Sequence, residues 1–319
     1  MRIVVNGWFA DQLATGSGQY LAGLQAWLPL AGADHEYFLV TPAATAGPEG
    51  VPGWRVAIAG TPLDRVNANL AKVWFEQVTF PRACKQLRAD VALVPYWGSP
   101  WWQPCPLSVT VHDIIPVLLP LYRGGFSQRV YTWLVTQTAR RAAAVLTDSA
   151  ASGRDIVSHL GVPASRVYPV HLAADPRFRP VRDTAVLDQV RSRYGLPGDG
   201  FLLYLGGFDA RKNVPRLLTA YARLRERRGD ASDRKMAIPH LVIAGKLPSS
   251  PGLFAPDPRP IVSQLGLAGC VHFTGWVEED DKPVLYSLAS AALFVSEYEG
   301  FGLPVLEAQA CGCPVITSF

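Results

Sequence analysis

Two glutamates near the end of the sequence, Glu299 and Glu307, lie on either side of a Gly-Phe-Gly-Leu-Pro segment. The glycines allow a tight turn close to a ligand, and proline suits the first turn of a helix. We therefore expect Glu299 in a strand-to-helix loop and Glu307 in the opening turn of the helix. The amides of Leu303 and Val305 should point at the same place. Two carboxylates that can accept hydrogen bonds from hydroxyl groups, beside the positive end of a helix, suit a sugar nucleotide. The alternative is an acidic loop followed by a glutamate that only stabilises a helix start.

Two cations, Arg211 and Lys212, follow a Gly206-Gly207 turn and come just before a predicted helix. Cations are unfavourable at a helix N-terminus unless an anion binds there. A guanidinium and an ammonium in this position can neutralise a departing diphosphate, which is the difficult part of breaking a sugar–phosphate bond. The alternative is a solvated basic helix start. The helix is predicted from apolar residues that share one face, namely Leu217, Leu218, Tyr221 and Leu224.

Two further motifs follow predicted strands in the first half of the chain. Gly16 and Gly18 stand between the first strand and a helix, although a lone G-x-G is weak evidence for phosphate binding. The dinucleotide-binding fingerprint needs a third glycine where Leu21 stands, which disfavours a nicotinamide oxidoreductase. His112 and Asp113 end another strand, and the carboxyl ends of parallel strands face the ligand crevice. A structural histidine is the alternative there.

These motifs resemble those of one enzyme family. The segment from Glu299 to Glu307 looks like the E-x7-E motif of retaining GT-B glycosyltransferases, especially glycosyltransferase family four. The turn with the two cations resembles the G-x5-K-N phosphate-binding element of that family, although many relatives have an arginine where Gly207 stands. His112 and Asp113 belong to a segment similar to the H-D-x-x-P element of mannosyltransferase-like members. The resemblance extends over nearly the whole chain, with its motifs in the family's order.

The resemblance implies a role for each motif. Glu299 would contact hydroxyls of the donor sugar, and Glu307 the ribose of the nucleotide. Arg211, Lys212 and the helix amides would stabilise the departing diphosphate. His112 would orient the donor sugar, with Asp113 near it. The other donor-site residues that the resemblance implies are Gly16, Gly18, Leu303 and, at the nucleobase, Val277.

The implied activity is transfer of a hexose with retention of its anomeric configuration, as in polysaccharide biosynthesis. Mannose from GDP-mannose is one candidate donor, and a glycan or a lipid-linked saccharide is the expected acceptor. The nucleotide sugar is a co-substrate, and no further cofactor is expected. Metal independence is expected because GT-B enzymes generally use protein cations instead. The alternatives are a non-catalytic sugar-nucleotide-binding or scaffold protein, and a GT-B epimerase or phosphorylase.

The composition agrees with a globular two-domain protein. The chain has 319 residues, 49% of them hydrophobic and 18% charged, with a formal net charge of +4. That charge does not indicate a nucleic-acid partner, and the basic cluster Arg223–Arg228 is expected at the C-terminal end of a helix.

Neither a signal peptide nor a transmembrane segment is recognisable. The expected location is the cytoplasm, with peripheral contact at the inner face of the plasma membrane left open and the oligomeric state unspecified. The five cysteines are expected to be buried thiols in a reducing compartment.

Short apolar runs alternate with helix-length segments, which predicts parallel α/β structure throughout. We expect a GT-B fold with two Rossmann-like doubly wound domains that face a cleft. The predicted division is residues 1–175 for the acceptor side, 176–198 for a linker, and 199–319 for the nucleotide-sugar side. The second domain is expected to be incomplete. The predicted strands are Ile3–Val5, Tyr37–Val40, Val91–Val94, Leu107–Val111, Ala144–Thr147, Phe201–Leu205, Leu241–Ala244, Val271–Phe273, Ala292–Val295 and Val315–Thr317.

Two segments are expected to have no chemistry of their own. The run Glu278-Glu279-Asp280-Asp281 is interpreted as a solvated helix start and not as a metal site. The segment Trp74-Phe75-Glu76-Gln77 also echoes the mannosyltransferase-like members, and aromatic packing is taken to explain it.

Overall fold

The computed structural model describes residues 1–13, 15–42, 52–229 and 238–318. The chain forms two compact units, Met1–His171 and Leu172–Phe319. Each unit is built on a parallel sheet with helices between its strands, so the predicted α/β class is confirmed. Among the helices in these described ranges, none is long and apolar enough to span a bilayer.

The first unit contains a parallel sheet of seven described strands in the order β3-β2-β1-β4-β5-β6-β7. From β1 the chain builds outward in one direction, then returns to β4 and builds in the other. The point where the direction reverses, between β1 and β4, is where ligands bind in open α/β sheets. The strands are β1 (Arg2–Asn6), β2 (Glu36–Thr41), β3 (Trp54–Ile58), β4 (Val91–Val94), β5 (Leu107–Thr110), β6 (Ala144–Thr147) and β7 (Val167–Pro169).

Alternation along these strands separates two layers of core. Val4 and Val94 belong to the larger core cluster together with Ala139, whereas Val5 and Leu39 pack in another cluster with the helical Leu21. Successive strand residues point to opposite faces, so the two clusters cover opposite faces of the sheet. The helices are α1 (Gly16–Ala31), α2 (Ala68–Trp74), α3 (Phe80–Gln86), α4 (Ile115–Leu118), α5 (Phe126–Ala139) and α6 (Ala150–Asp155), with a π-helical turn at Phe75–Thr79 between α2 and α3.

The second unit has a parallel sheet of five described strands in the order β10-β9-β8-β11-β12. Here the direction reverses between β8 and β11. The strands are β8 (Phe201–Leu205), β9 (His240–Ala244), β10 (Val271–Gly275), β11 (Ala291–Phe294) and β12 (Val315–Thr317). The helices are α7 (Thr184–Tyr194), α8 (Val214–Gly229), α9 (Arg259–Gln264), α10 (Lys282–Leu288) and α11 (Leu303–Ala310).

The predicted linker differs from the structure. The boundary between the units falls after His171, and the helix α7 occupies much of residues 176–198 within the second unit. Its capping residues explain this helix. Asp183 accepts a hydrogen bond from the Ala185 amide at 2.9 Å, and Gly195 ends the helix with a φ of +60°. The proline-rich start of the segment hid these signals.

The acidic run before α10 was expected to be solvated, but the structure buries one of its residues. The Asp281 carboxylate is buried and accepts hydrogen bonds from Arg193 at 2.6 Å and from the Tyr194 hydroxyl at 2.7 Å. Asp281 therefore joins the end of α7 to the start of α10 within the second unit. Glu279 pairs with Lys282 at 2.5 Å, as expected of a surface helix start.

Two strands and one core position were not predicted correctly. The strands β3 and β7 lie at the two edges of the first sheet and lack a long apolar run, because their residues are only partly buried or exposed. Leu224 is 45% exposed, whereas Leu217, Leu218 and Tyr221 are buried. The apolar face of α8 therefore ends one turn earlier than its sequence suggests.

Candidate active site

The loops after β8 and β11 form the candidate site of the second unit. Ala291 and Ala292 of β11 pair with Leu202 and Leu203 of β8, so the loops that follow these parallel strands leave the sheet side by side. The Glu297 amide donates a hydrogen bond to the Arg211 carbonyl at 2.7 Å and joins the two loops. This is the place where strand order reverses, which is where the class of fold binds its ligands.

The Glu299 carboxylate holds both predicted cations. Its Oε2 lies 2.6 Å from Nη1 of Arg211, and its Oε1 lies 2.6 Å from Nζ of Lys212. The three side chains are between 16% and 19% exposed, so ligands can reach them. Arg211 also pairs with Asp209 at 3.0 Å and donates to the Tyr298 carbonyl at 3.2 Å. The sequence analysis did not predict that Asp209 belongs to this cluster.

Charge in this cluster is balanced within the protein. Two cations face two carboxylates, Asp209 and Glu299, so the cation pair does not need a bound anion to be stable, contrary to the argument from sequence. Burial disfavours ionisation of Glu299, but Lys212 and Arg211 outweigh it and hold the pKa of this carboxyl below its usual value. Glu299 is therefore a carboxylate at neutral pH, held by two donors.

The second glutamate lies apart from that cluster. α11 begins at Leu303, so Glu307 is in its second turn and not in its opening turn, and the Val305 amide bonds to the Gly302 carbonyl at 2.9 Å. The Val305 amide is therefore already hydrogen-bonded within the first turn of α11, whereas the sequence predicted that it points at a ligand. Burial raises the pKa of Glu307, while Lys282 of α10 acts against that shift.

The remaining predicted contacts of the second unit have different surroundings. Val277 is 4% exposed and belongs to the core, so its side chain supports the loop after β10. Leu303 is partly exposed at the first position of α11. Gly302 before it has a φ of +98°, a conformation that favours glycine, which explains the glycine at this hinge.

In the first unit, His112 is held by a residue that the sequence analysis missed. Its Nδ1 lies 2.8 Å from Oδ2 of Asp148, which follows the neighbouring strand β6. The Tyr20 ring of α1 meets the imidazole edge-on, with centroids 4.8 Å apart. The carboxylate favours the tautomer with a proton on Nδ1, which leaves Nε2 as an acceptor in the neutral ring. Asp148 follows the end of a strand, as His112 does. That position was the signal in the sequence by which Asp148 could have been identified as a site residue.

Asp113 and the two glycines of the first unit are explained by the backbone. Asp113 accepts a hydrogen bond from the Ile115 amide at 3.0 Å and so closes an Asx turn at the start of α4. A Cβ atom on Gly18 would lie 2.1 Å from the Gln12 carbonyl oxygen, whereas one on Gly16 would meet nothing within 4 Å. Gly18 is thus required by close packing, and Gly16 is not.

Glu76, which had been assigned to aromatic packing, is the centre of a buried polar cluster. It is 0% exposed, and its two oxygens accept from the Tyr131 hydroxyl at 2.9 and 3.0 Å. Lys72 lies 3.5 Å away, with its ammonium against the rings of Tyr131, Tyr96 and Phe9. Burial raises the pKa of Glu76 to about 7 although Lys72 and Tyr131 oppose the shift.

This cluster predicts a pH-dependent stability. The folded state keeps the Glu76 proton up to about pH 7, whereas the unfolded chain releases it near the ordinary value of 4.5. The free energy of unfolding should therefore fall as the pH rises between these values and level off above them. At about 1.4 kcal/mol per pH unit, the loss over this interval is at most about 3.5 kcal/mol.

Glu76→Gln removes the titrating group and should flatten this fall. Urea unfolding between about pH 5 and pH 8 measures it, with tryptophan fluorescence as the signal. Eight of the nine tryptophans lie in Met1–His171, so the signal reports mainly on the unit that contains Glu76. Parallel curves for the two proteins would contradict the raised pKa.

Family models match both units. A model described as glycosyl transferase 4-like domain matches residues 15–173, and one described as glycosyl transferases group 1 matches residues 188–318. A similar protein is the O-antigen chain mannosyltransferase B of Escherichia coli, 30% identical over 226 residues that make up 70% of this chain and 56% of the relative. The D-inositol 3-phosphate glycosyltransferase of Streptomyces scabiei is 32% identical over 57% of this chain and 40% of its own length.

Solved structures agree on the fold. The sucrose-phosphate synthase of Thermosynechococcus elongatus has a TM-score of 0.70 at 21% identity, covering 99% of this chain and 81% of its own. HepE of Anabaena, solved with UDP-glucose, has a TM-score of 0.66 at 18% identity, covering 99% of this chain and 80% of its own. The chain belongs to the family-four type of GT-B glycosyltransferases. The matched part spans 56% of the first of the curated relatives and 26% of the second.

Proposed function

We propose that this chain is a retaining, metal-independent glycosyltransferase. It transfers a hexose, with mannose from GDP-mannose as the first candidate, to a glycan or a lipid-linked saccharide. The observation that supports this most is the convergence of Arg211 and Lys212 on Glu299 where the second sheet reverses its strand order. The mannosyltransferases among similar proteins support the sugar, and HepE with UDP-glucose supports a nucleotide-sugar donor.

In this proposal the ion pairs of the site exchange partners when the donor binds. The donor diphosphate takes over Arg211 and Lys212, and Glu299 turns to hydroxyls of the sugar. When the bond between the anomeric carbon and the phosphate oxygen breaks, its electron pair goes to the diphosphate, and the two cations stabilise that charge. The acceptor oxygen bonds to the anomeric carbon on the same face and passes its proton to the departing phosphate. His112, oriented by Asp148, positions the sugar.

Thermal-shift measurements with GDP, UDP, ADP and their sugar conjugates, in the presence of EDTA, test the donor. Ligands that bind only the folded chain raise its melting temperature, so one nucleotide series should stabilise it. We expect Glu299→Gln to keep the shift given by the nucleoside diphosphate and to lose the additional shift given by the attached sugar. Glu297→Gln is the matched control, since its side chain is 48% exposed with only a 3.9 Å ion pair.

The outcomes separate the alternatives. No shift with any nucleotide, from a chain that is folded, contradicts the assignment of the glutamates. A shift without transfer to any acceptor indicates a non-catalytic sugar-nucleotide-binding protein. Conversion of the donor into an epimer of its sugar, either still attached to the nucleotide or released by hydrolysis, indicates an epimerase. If transfer occurs, the anomeric configuration of the product, determined by NMR, tests retention.

A further inference from the structure

The helix α5 of the first unit exposes apolar side chains on the side opposite the core. Val135 and Ala139 are buried, whereas Phe126, Val130 and Trp133 are 84%, 47% and 57% exposed. Residues at positions i, i+4 and i+7 share one face of a helix, so these three side chains form a stripe. Leu121, in the 3₁₀ turn before α5, is 45% exposed as well. The helix is thus apolar on two opposite faces.

The charged residues of the segment that carries this stripe have one sign. Between Asp113 and Asp148 the sequence contains four arginines and no aspartate or glutamate. Arg123 and Arg129 are exposed beside the stripe, and Arg141 lies over the half-exposed Trp101 ring at 5.0 Å. Exposed aromatic and apolar groups flanked by arginine complement a surface that is apolar beneath and negatively charged on top.

We propose that α5 and the turn before it dock on the surface of an anionic phospholipid bilayer. Phe126, Val130 and Trp133 enter the boundary between head groups and acyl chains, and the arginines contact lipid phosphates. A stable protein interface buries about 800 Å² on each partner, more than four partly exposed side chains supply. A helix that lies in a membrane surface needs only a narrow apolar face and anionic lipid.

The position of α5 in the sheet gives this surface a consequence. α5 connects the parallel strands β5 and β6, so it begins near the edge at which these strands end, the edge that carries His112 and Asp148. Docking through the Phe126 end would hold that edge at the lipid head groups. A lipid-linked acceptor would present its saccharide there, and this last point rests on the proposed function.

Vesicle co-sedimentation of the whole chain, without donor or acceptor, tests the docking surface separately from the activity. We expect binding to phosphatidylcholine vesicles with about 30% phosphatidylglycerol, weak binding without it, and partial release at about 0.5 M salt. Phe126→Ser with Trp133→Ser should weaken the partitioning about tenfold or more, because both apolar anchors are lost. Arg123→Glu with Arg129→Glu should remove the preference for the anionic lipid.

Trp27→Ser with Leu30→Ser is the matched control. These residues of α1 are 61% and 73% exposed, and α1 packs in the core cluster on the other face of the sheet. We expect this variant to bind vesicles like the wild type, with circular dichroism confirming that all variants are folded. Equal loss in both double variants, or no lipid binding by the wild type, would overturn the proposal. So would a wild-type dimer that the α5 variant converts to a monomer while vesicle binding stays unchanged.

Discussion

Lys212→Ala should lower the turnover of the proposed transfer by about 10²- to 10³-fold, the effect of removing one preorganised group that stabilises charge in a transition state. In the structure Lys212 is one of two cations on Glu299, with its Nζ 2.6 Å from Oε1. If the ammonium stabilises the departing diphosphate, its loss should appear mainly in kcat, because that charge develops as the bond breaks.

The fold should tolerate this change. Glu299 keeps its ion pair with Arg211, and Lys212 is partly exposed, so no carboxylate is left buried and unpaired. Arg216→Ala is the matched control, since this arginine is 74% exposed on the next helix with an ion pair of 3.9 Å. The measurement is steady-state transfer with the donor that stabilises the chain most. Turnover of Lys212→Ala within about threefold of the control would show that the ammonium does not act on the leaving group.

Gly18→Ala should destabilise the first unit by more than about 3 kcal/mol or displace the loop before α1. The added Cβ would lie 2.1 Å from the oxygen and 2.6 Å from the carbon of the Gln12 carbonyl. Those atoms are backbone, which cannot turn aside as a side chain can. The Thr15 hydroxyl that accepts from the Gly18 amide at 3.1 Å would move with it, so the cap of α1 would weaken too.

Gly16→Ala is the control for this prediction. It lies two residues away at the first position of the same helix, and its Cβ would meet nothing within 4 Å. Alanine favours helix over glycine, so this variant should be as stable as the wild type or slightly more so. Urea unfolding followed by tryptophan fluorescence compares the two. Equal stability of both variants would contradict the close packing at Gly18.

The sequence by itself determined the α/β class, most of the sheet strands and three of the four residues of the ion-paired site, with Asp209 as the exception. These features depend on local patterns. A buried parallel strand such as Val91–Val94 is a short apolar run, and the loop after it must carry the polar groups. Arg211, Lys212 and Glu299 could be found because each follows such a run beside glycines.

The tertiary structure alone decided which of these residues meet. Glu299 lies far from Arg211 in sequence but close in space because β8 and β11 are neighbours in the sheet. The same reason joins His112 to Asp148, which no local pattern connects. Glu307 shows the reverse case, in which residues close in sequence have different neighbours. It is eight positions from Glu299, yet its carboxyl group interacts with residues of α10. The buried cluster of Glu76 and the exposed stripe of α5 were also hidden, because burial of a side chain depends on what packs against it and not on its own type.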